Sequence, residues 1–140
     1  MGFRSEVRDG FLISLTAFQA ANPTLVDGVY KARPPSIAER SSVFVGGISE
    51  SYVHLAGVRQ RTAEVEIVYT RHLGDNEETS DVLEDGADAL LDWLTLNYHL
   101  TGAGTVQEPQ RSTPIELNEG GVIVPAIAIT TRATKQEPRF

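Results

Sequence analysis

The chain has 140 residues, no cysteine, 12 Lys and Arg against 19 Asp and Glu, and a formal charge of −7. These figures fit one globular domain with a core of its own. They exclude a disulfide scaffold, a thiolate metal site and a cysteine nucleophile, and they speak against a phosphate-gripping surface, which carries a basic stripe.

A helix is expected from Ser5 to Ala21, where Val7, Phe11, Ser14, Leu15 and Phe18 fall on one stripe. Ser5 suits the N-cap, and Asn22-Pro23 stops the helix because the residue before proline is pushed out of the helical region. Ile13 lies on the side opposite the stripe, either incidentally exposed or turned to a neighbouring subunit. Leu25 to Tyr30 reads as a short strand or an extended lead-in, and Arg33-Pro34-Pro35 as a stiff connector. Ser42 to Val45 is a short apolar strand ended by Gly46-Gly47. Ser49 to Gly57 follows as a loop or half-strand containing Tyr52, Val53 and Leu55, and Gly46 to Tyr52 is a candidate projecting loop.

From Val58 to Leu73 the pattern alternates. Ala63, Val65, Ile67 and Tyr69 share one face, while Glu64, Glu66 and Thr70, with Val68 among them, share the other. Such a run reaches ~50 Å, longer than most globular strands, and a strand that outruns a small core projects as an arm or lines a partner. A second helix follows a polar turn and ends near Tyr98. Its packed face is Val82, Leu83, Ala89, Leu90, Trp93, Leu94 and Asn97, and its far face is Asp81, Glu84, Asp85, Asp88 and Asp92. Gly86, in the middle of the packed face, costs about 1 kcal/mol against alanine there and implies a close helix-to-sheet approach. Trp93 is expected to anchor this helix on the sheet. A strand is expected around Pro114 to Leu117, then a turn at Asn118 to Gly121, then a last strand from Val122 to Thr131. Pro125 marks that strand as an edge or a bulge, and residues from about 133 read as a flexible polar tail. The fold class is α+β. A mainly antiparallel sheet with a long strand or hairpin arm is packed by two helices in the order helix-strand-strand-helix-strand-strand, forming a single domain over 1–140.

No constellation of catalytic residues accompanies this architecture. His54, His72 and His99 lack metal-ligand spacing, and His99 suits a helix C-terminus. The glycine pairs lack the Gly-Lys-Ser/Thr of a phosphate loop, and no G-x-S-x-G elbow is present. Glu77, Glu78 and Asp81 offer a weak cation site, against the simpler reading of a solvated acidic face. Arg59 and Arg61 share a strand with Glu64 and Glu66. They serve either cross-strand ion pairs within the chain or charge matching between copies. No catalytic residue, cofactor or metal is expected. No apolar run approaches the ~20 residues that span a bilayer. Met1 to Glu6 lacks a signal peptide's apolar core, so a soluble chain made in the cytosol, with no membrane partner, is expected.

The chain resembles the tail-terminator proteins of long-tailed bacteriophages. The residues that carry the resemblance are the helix with Phe11-Leu12-Ile13-Ser14-Leu15, the strand pair around Val43-Phe44-Val45-Gly46 and Ala63 to Tyr69, the helix ending Ala89-Leu90-Leu91-Asp92-Trp93-Leu94, and the closing Val122 to Ile129. The resemblance implies a non-enzymatic virion protein at the head-tail junction. It forms a ring, typically of six copies, that caps the tail tube and joins it to the head connector or stopper protein. Genome DNA is expected to pass through without specific binding, and six copies at −7 each carry −42, with the acidic helix facing either the lumen or the outside. Expected subunit or tube contacts are Ile13, Gly46, Gly47, Tyr52, Arg59 and Arg61, with Glu64, Glu66, Arg132 and Phe140. Another neck or minor tail protein, such as a head-completion or stopper protein, is the nearest alternative. A small cytosolic enzyme or ligand-binding domain is the alternative of a different class.

Overall fold

Two helices lie against one face of a six-stranded sheet in a computed structural model that describes residues 2–34, 41–72, 79–97, 99–100 and 104–138. The elements are α1 (Phe3–Ala21), β1 (Gly28–Tyr30), β2 (Ser41–Leu55), β3 (Val58–Arg71), α2 (Thr79–Leu96), β4 (His99–Leu100), β5 (Gly104–Glu119) and β6 (Val122–Pro138). Strand order is β1-β2-β3-β6-β5-β4. The β1–β2 pair is parallel and every other pair is antiparallel, so the sheet of this α+β fold is mixed. Two short strands, β1 and β4, extend the expected element order. β4 includes His99, which therefore sits in a strand and not at a helix end.

Alternation along β3 places Ala63, Val65, Ile67 and Tyr69 on the helix-covered face, all fully buried. They form the main core with Phe3, Val7, Phe11, Leu15 and Phe18 of α1 and Leu83, Leu90 and Leu94 of α2. The opposite face carries a smaller cluster of Phe44, Val68, Leu117, Val124, Ala126 and Ala128. Val68 and Thr70 are therefore buried, not wet as the alternation alone implied, and the Thr70 hydroxyl bonds that of Ser42 at 2.6 Å. Residues 31–34 leave β1 at one edge of the sheet, yet Arg33 donates to Asn118 O at 3.3 Å and to Glu119 Oε1 at 3.0 Å. Ala32 and Arg33 thus lie against this second face.

α1 starts three residues earlier than the Ser5 cap implies, with Gly2 at the N-cap and no side-chain cap. The early start buries Phe3 to 1% exposure. Burying an aromatic side chain is worth about 1.5–3 kcal/mol, against about 1 kcal/mol for a cap. Asn22 closes the helix as expected, its backbone N–H and its side chain both donating to Phe18 O. On α2 the acids Asp81, Glu84, Asp85, Asp88 and Asp92 are exposed, and Leu83, Gly86, Ala87, Leu90 and Leu94 are buried. Asn97, assigned to the packed face, is exposed beyond the last turn. Trp93, expected to anchor this helix on the sheet, packs against the main core from the helix side. Its ring meets Phe18 at 5.7 Å and its Nε1 donates to Ser14 Oγ at 3.1 Å, so it joins the two helices.

Three further differences concern strands. Gly46-Gly47 does not end β2, and Gly46 to Tyr52 is not a loop. The strand runs on to Leu55 through a register shift between Val45 and Ile48. An inserted residue of this kind switches which side chains face the core, which hides the continuation from a period-2 reading. A Cβ on Gly46 would lie 3.3 Å from both Glu66 Cβ and Glu66 O, so the close approach of β2 to β3 at the register shift favours glycine there. β6 is an interior strand, not an edge. Pro125 falls one residue beyond the last β3 partner, Ala126, where the ladder on that side has ended. The tail expected from about 133 is the outer half of β6, paired with β3 as far as Val58↔Pro138. Ala133 there is fully buried.

Candidate assembly surface

Beyond the reach of the main core, β2, β3 and β6 continue as a paired arm. The β2–β3 hairpin turns at Ala56-Gly57, with Gly57 at φ 74, a left-handed conformation glycine adopts without strain. Register places Glu50, Tyr52, His54, Arg59, Arg61, Lys135 and Glu137 on the helix side of the arm, and Ser51, Val53, Leu55, Glu64 and Arg132 on the bare side.

On the helix side the charges are consumed inside the chain. Arg61 bonds Glu50 through two guanidinium nitrogens and Glu137 at 3.4 Å, and Arg59 reaches Glu137 at 2.6 Å. Arg4 reaches Glu50 at 3.5 Å and Lys135 reaches Glu6 at 3.2 Å, tying the start of α1 to the root of the arm. Arg61 also lies over the Phe3 ring at 5.1 Å and the Tyr52 ring at 5.5 Å, with Arg59 5.9 Å from Tyr52. Arg59 and Arg61 do not pair with Glu64 or Glu66, because odd and even positions of β3 point to opposite faces. Cross-strand pairing within the chain holds, with partners the sequence did not single out. Glu137 was hidden in the supposed tail, and Glu50 lay beyond the bulge.

On the bare side Glu64 meets Arg132 at 3.6 Å, both well exposed, a geometry worth at most about 1 kcal/mol. Gly47, Glu64, Glu66 and Arg111 line one shallow polar depression. An apolar groove of ≈ 300 Å³ opens beside it, floored by Phe44, Gly46, Val68, Ile115 and Leu117, with Arg33 and Glu66 at its rim. At the arm tip Tyr52, Val53 and Leu55 are each about half exposed (50%, 51% and 49%).

The expected contact residues therefore separate into three places. Tyr52, Arg59 and Arg61 meet on the helix side of the arm. Gly46, Gly47, Glu64, Glu66 and Arg132 gather on the bare side. Ile13 stands apart, exposed on the outside of α1. Phe140 lies outside the described residues, as do Glu77 and Glu78 of the candidate cation site. Among the described residues no three His, Asp or Glu side chains form a metal-binding group, and no helix is long and apolar enough to cross a membrane.

The hydrogen bond from Arg59, against some burial and with the charge of Arg61, holds the Glu137 carboxyl below its usual range. A carboxyl with a depressed folded-state pKa contributes stability that is present above its unfolded pKa and lost as pH falls through the folded value. Acid should therefore loosen the arm from about pH 4.5 downward, and Glu137→Gln should show a shallower acid limb. Urea midpoints across an acid pH series provide the check; an unchanged acid limb in the variant counts against the contact.

No protein-family model matches the chain, and no curated protein matches it significantly.

Proposed function

We propose that this chain is a non-enzymatic structural subunit of a bacteriophage tail terminator, a homo-oligomeric ring of about six copies that ends the tail tube and joins it to the head connector. The observation that carries the reading is the arm: a paired β extension whose charges are satisfied within the chain while its tip keeps Tyr52, Val53 and Leu55 in solvent. A solvated domain gains nothing from an apolar tip held on a rigid, ion-paired stalk; a subunit that reaches a neighbour does. The α2 carboxylates have no ion pair to a described residue. They add to a net charge that repels DNA phosphates, which suits a passage and not a binder.

Negative-stain imaging of the purified chain, alone and mixed with tail tubes assembled from the major tube protein, tests this. Rings that seat on one end of the tube and arrest its elongation are expected. Particles that remain monomeric or dimeric with tubes present, and tubes of unaltered length, refute it.

A further inference from the structure

We propose that the tip of the β2–β3 hairpin pairs, as an antiparallel strand, with the outer edge of β5 in a second copy of this chain. The inference rests on the ring reading above and names the contact that closes the ring. β1 covers β2 only from Ser42 to Phe44, and β4 covers β5 only at Gly104 and Thr105. Among the described residues, the outer edges of β2 beyond Phe44 and of β5 beyond Thr105 therefore have no strand partner. Such edges template pairing unless proline, lysine or a bulge blunts them. β5 is blunted by Pro109, Pro114 and a register shift between Gln107 and Arg111. The β2 stretch from Ser51 to Leu55 carries none of these devices.

Polarity and chemistry choose the occupant. The four long strands alternate in direction, so β2 and β5 at the two sides of the sheet are antiparallel. A second copy placed in the same orientation brings its β5 beside β2 with the alternation unbroken, and the same operation repeats for every further copy. That is a head-to-tail contact, the kind that closes rings. One register satisfies both faces. Leu55 opposite Ile115 and Val53 opposite Leu117 extend the apolar groove of the bare face, and His54 opposite Glu116 sets unlike partners on the helix face. Pro114 then falls just past the last pair, and the contact ends where Arg33 bonds Asn118 and Glu119. Sliding two residues one way puts Pro114 opposite His54, and two the other way sets His54 and Val53 opposite Asn118 and Glu119, which Arg33 already holds. A one-residue slip turns the apolar side chains to the wrong face.

Within one chain Ile115 is level with Ser42, through Ala126 and Thr70. Counted on the unbulged β3, neighbours are therefore offset by about 12 residues, ~40 Å along the strands and ~19 Å across them. Six such steps make a ring ~90 Å across between sheet centres, with arms running around it.

The absence of cysteine makes a clean test available. The variant His54→Cys/Glu116→Cys, oxidised at the concentration where the unaltered chain sediments as a multimer, should give a ladder of covalent oligomers ending at the ring. These positions sit at opposite ends of the sheet, too far apart for a bridge within one chain. His54→Cys alone should give no ladder, and Val53→Glu/Leu55→Glu, both at exposed positions, should weaken association by ~100-fold or more while leaving unchanged the urea midpoint read at a dilution where both chains are monomeric. Multimers of the unaltered chain with no ladder in a folded double variant overturn this contact and leave the ring reading standing. Covalent dimers from His54→Cys alone, showing β2-to-β2 pairing, also overturn it. A chain monomeric at every concentration, with tubes as well, overturns both. A full ladder with tubes of unaltered length supports the contact and removes the capping role.

Discussion

Gly86→Ala should destabilise the fold by about 1–2 kcal/mol, although alanine is the better helix former by about 1 kcal/mol. A Cβ at position 86 would overlap the ring and hydroxyl of Tyr69. Tyr69 cannot step aside. It is fully buried in the central strand β3, and its hydroxyl donates to Leu25 O at 2.9 Å, fixing the ring against the chain that follows α1. The overlap must be relieved by lifting α2 off the sheet or by breaking that bond, and either loosens Leu83 and Leu90 on the same face. Urea unfolding of the parent, Gly86→Ala, Tyr69→Leu and the double variant measures the coupling. The double variant should cost far less than the sum of the singles. Additive costs would mean that helix and ring do not meet.

Deleting Arg132 to Phe140 should cost about 3 kcal/mol or more and make the chain prone to aggregation. Net worth near 1 kcal/mol per ladder hydrogen bond outweighs the entropy regained by the freed residues once side-chain contacts are included. The deleted stretch pairs with β3 from Glu64 to Val58 and with β5 from Gln107 to Thr105. It also removes buried Ala133, the Lys135 contact to Glu6, and the Glu137 contacts to Arg59 and Arg61. Two strands then acquire new open edges in the middle of the arm. Thermal melting and limited proteolysis decide it: early cleavage between Ser51 and Thr62 is expected, and an unchanged melting point would show residues 132–140 to be dispensable.

The helices were legible because their signal is redundant. Val7, Phe11, Leu15 and Phe18 repeat one stripe, and the α2 acids repeat its complement, so one anomalous residue such as Ser14 or Asn97 hardly disturbs the pattern. The inner face of β3 was legible for the same reason. Strand continuity was not. The shift at Gly46-Gly47 reverses the alternation, so the polar-looking Ser49 to Leu55 reads equally as loop or half-strand although every residue is paired. Outer β6 was lost differently. Ala133, Lys135 and Glu137 carry little apolar area, and what holds them is pairing with residues some 75 positions earlier in the chain, which no local pattern records. The second apolar cluster was invisible because Phe44, Val68, Leu117 and Ala128 come from four strands and meet only through register. Tyr52, Arg59 and Arg61 were singled out from the sequence and do meet. Their ion partners Glu50 and Glu137 were missed through the same two faults.

The single indole of this chain is placed where it reports on one event only. Trp93 sits in the seam between the helices, against Phe18 and Ser14, while α1 runs from Phe3 at the root of the arm to that seam over ~16 Å. Its emission should shift to the red when the helices part and stay silent when hairpin tips engage. Intrinsic fluorescence and light scattering thus give two independent optical clocks on unmodified material, one for folding and one for self-association.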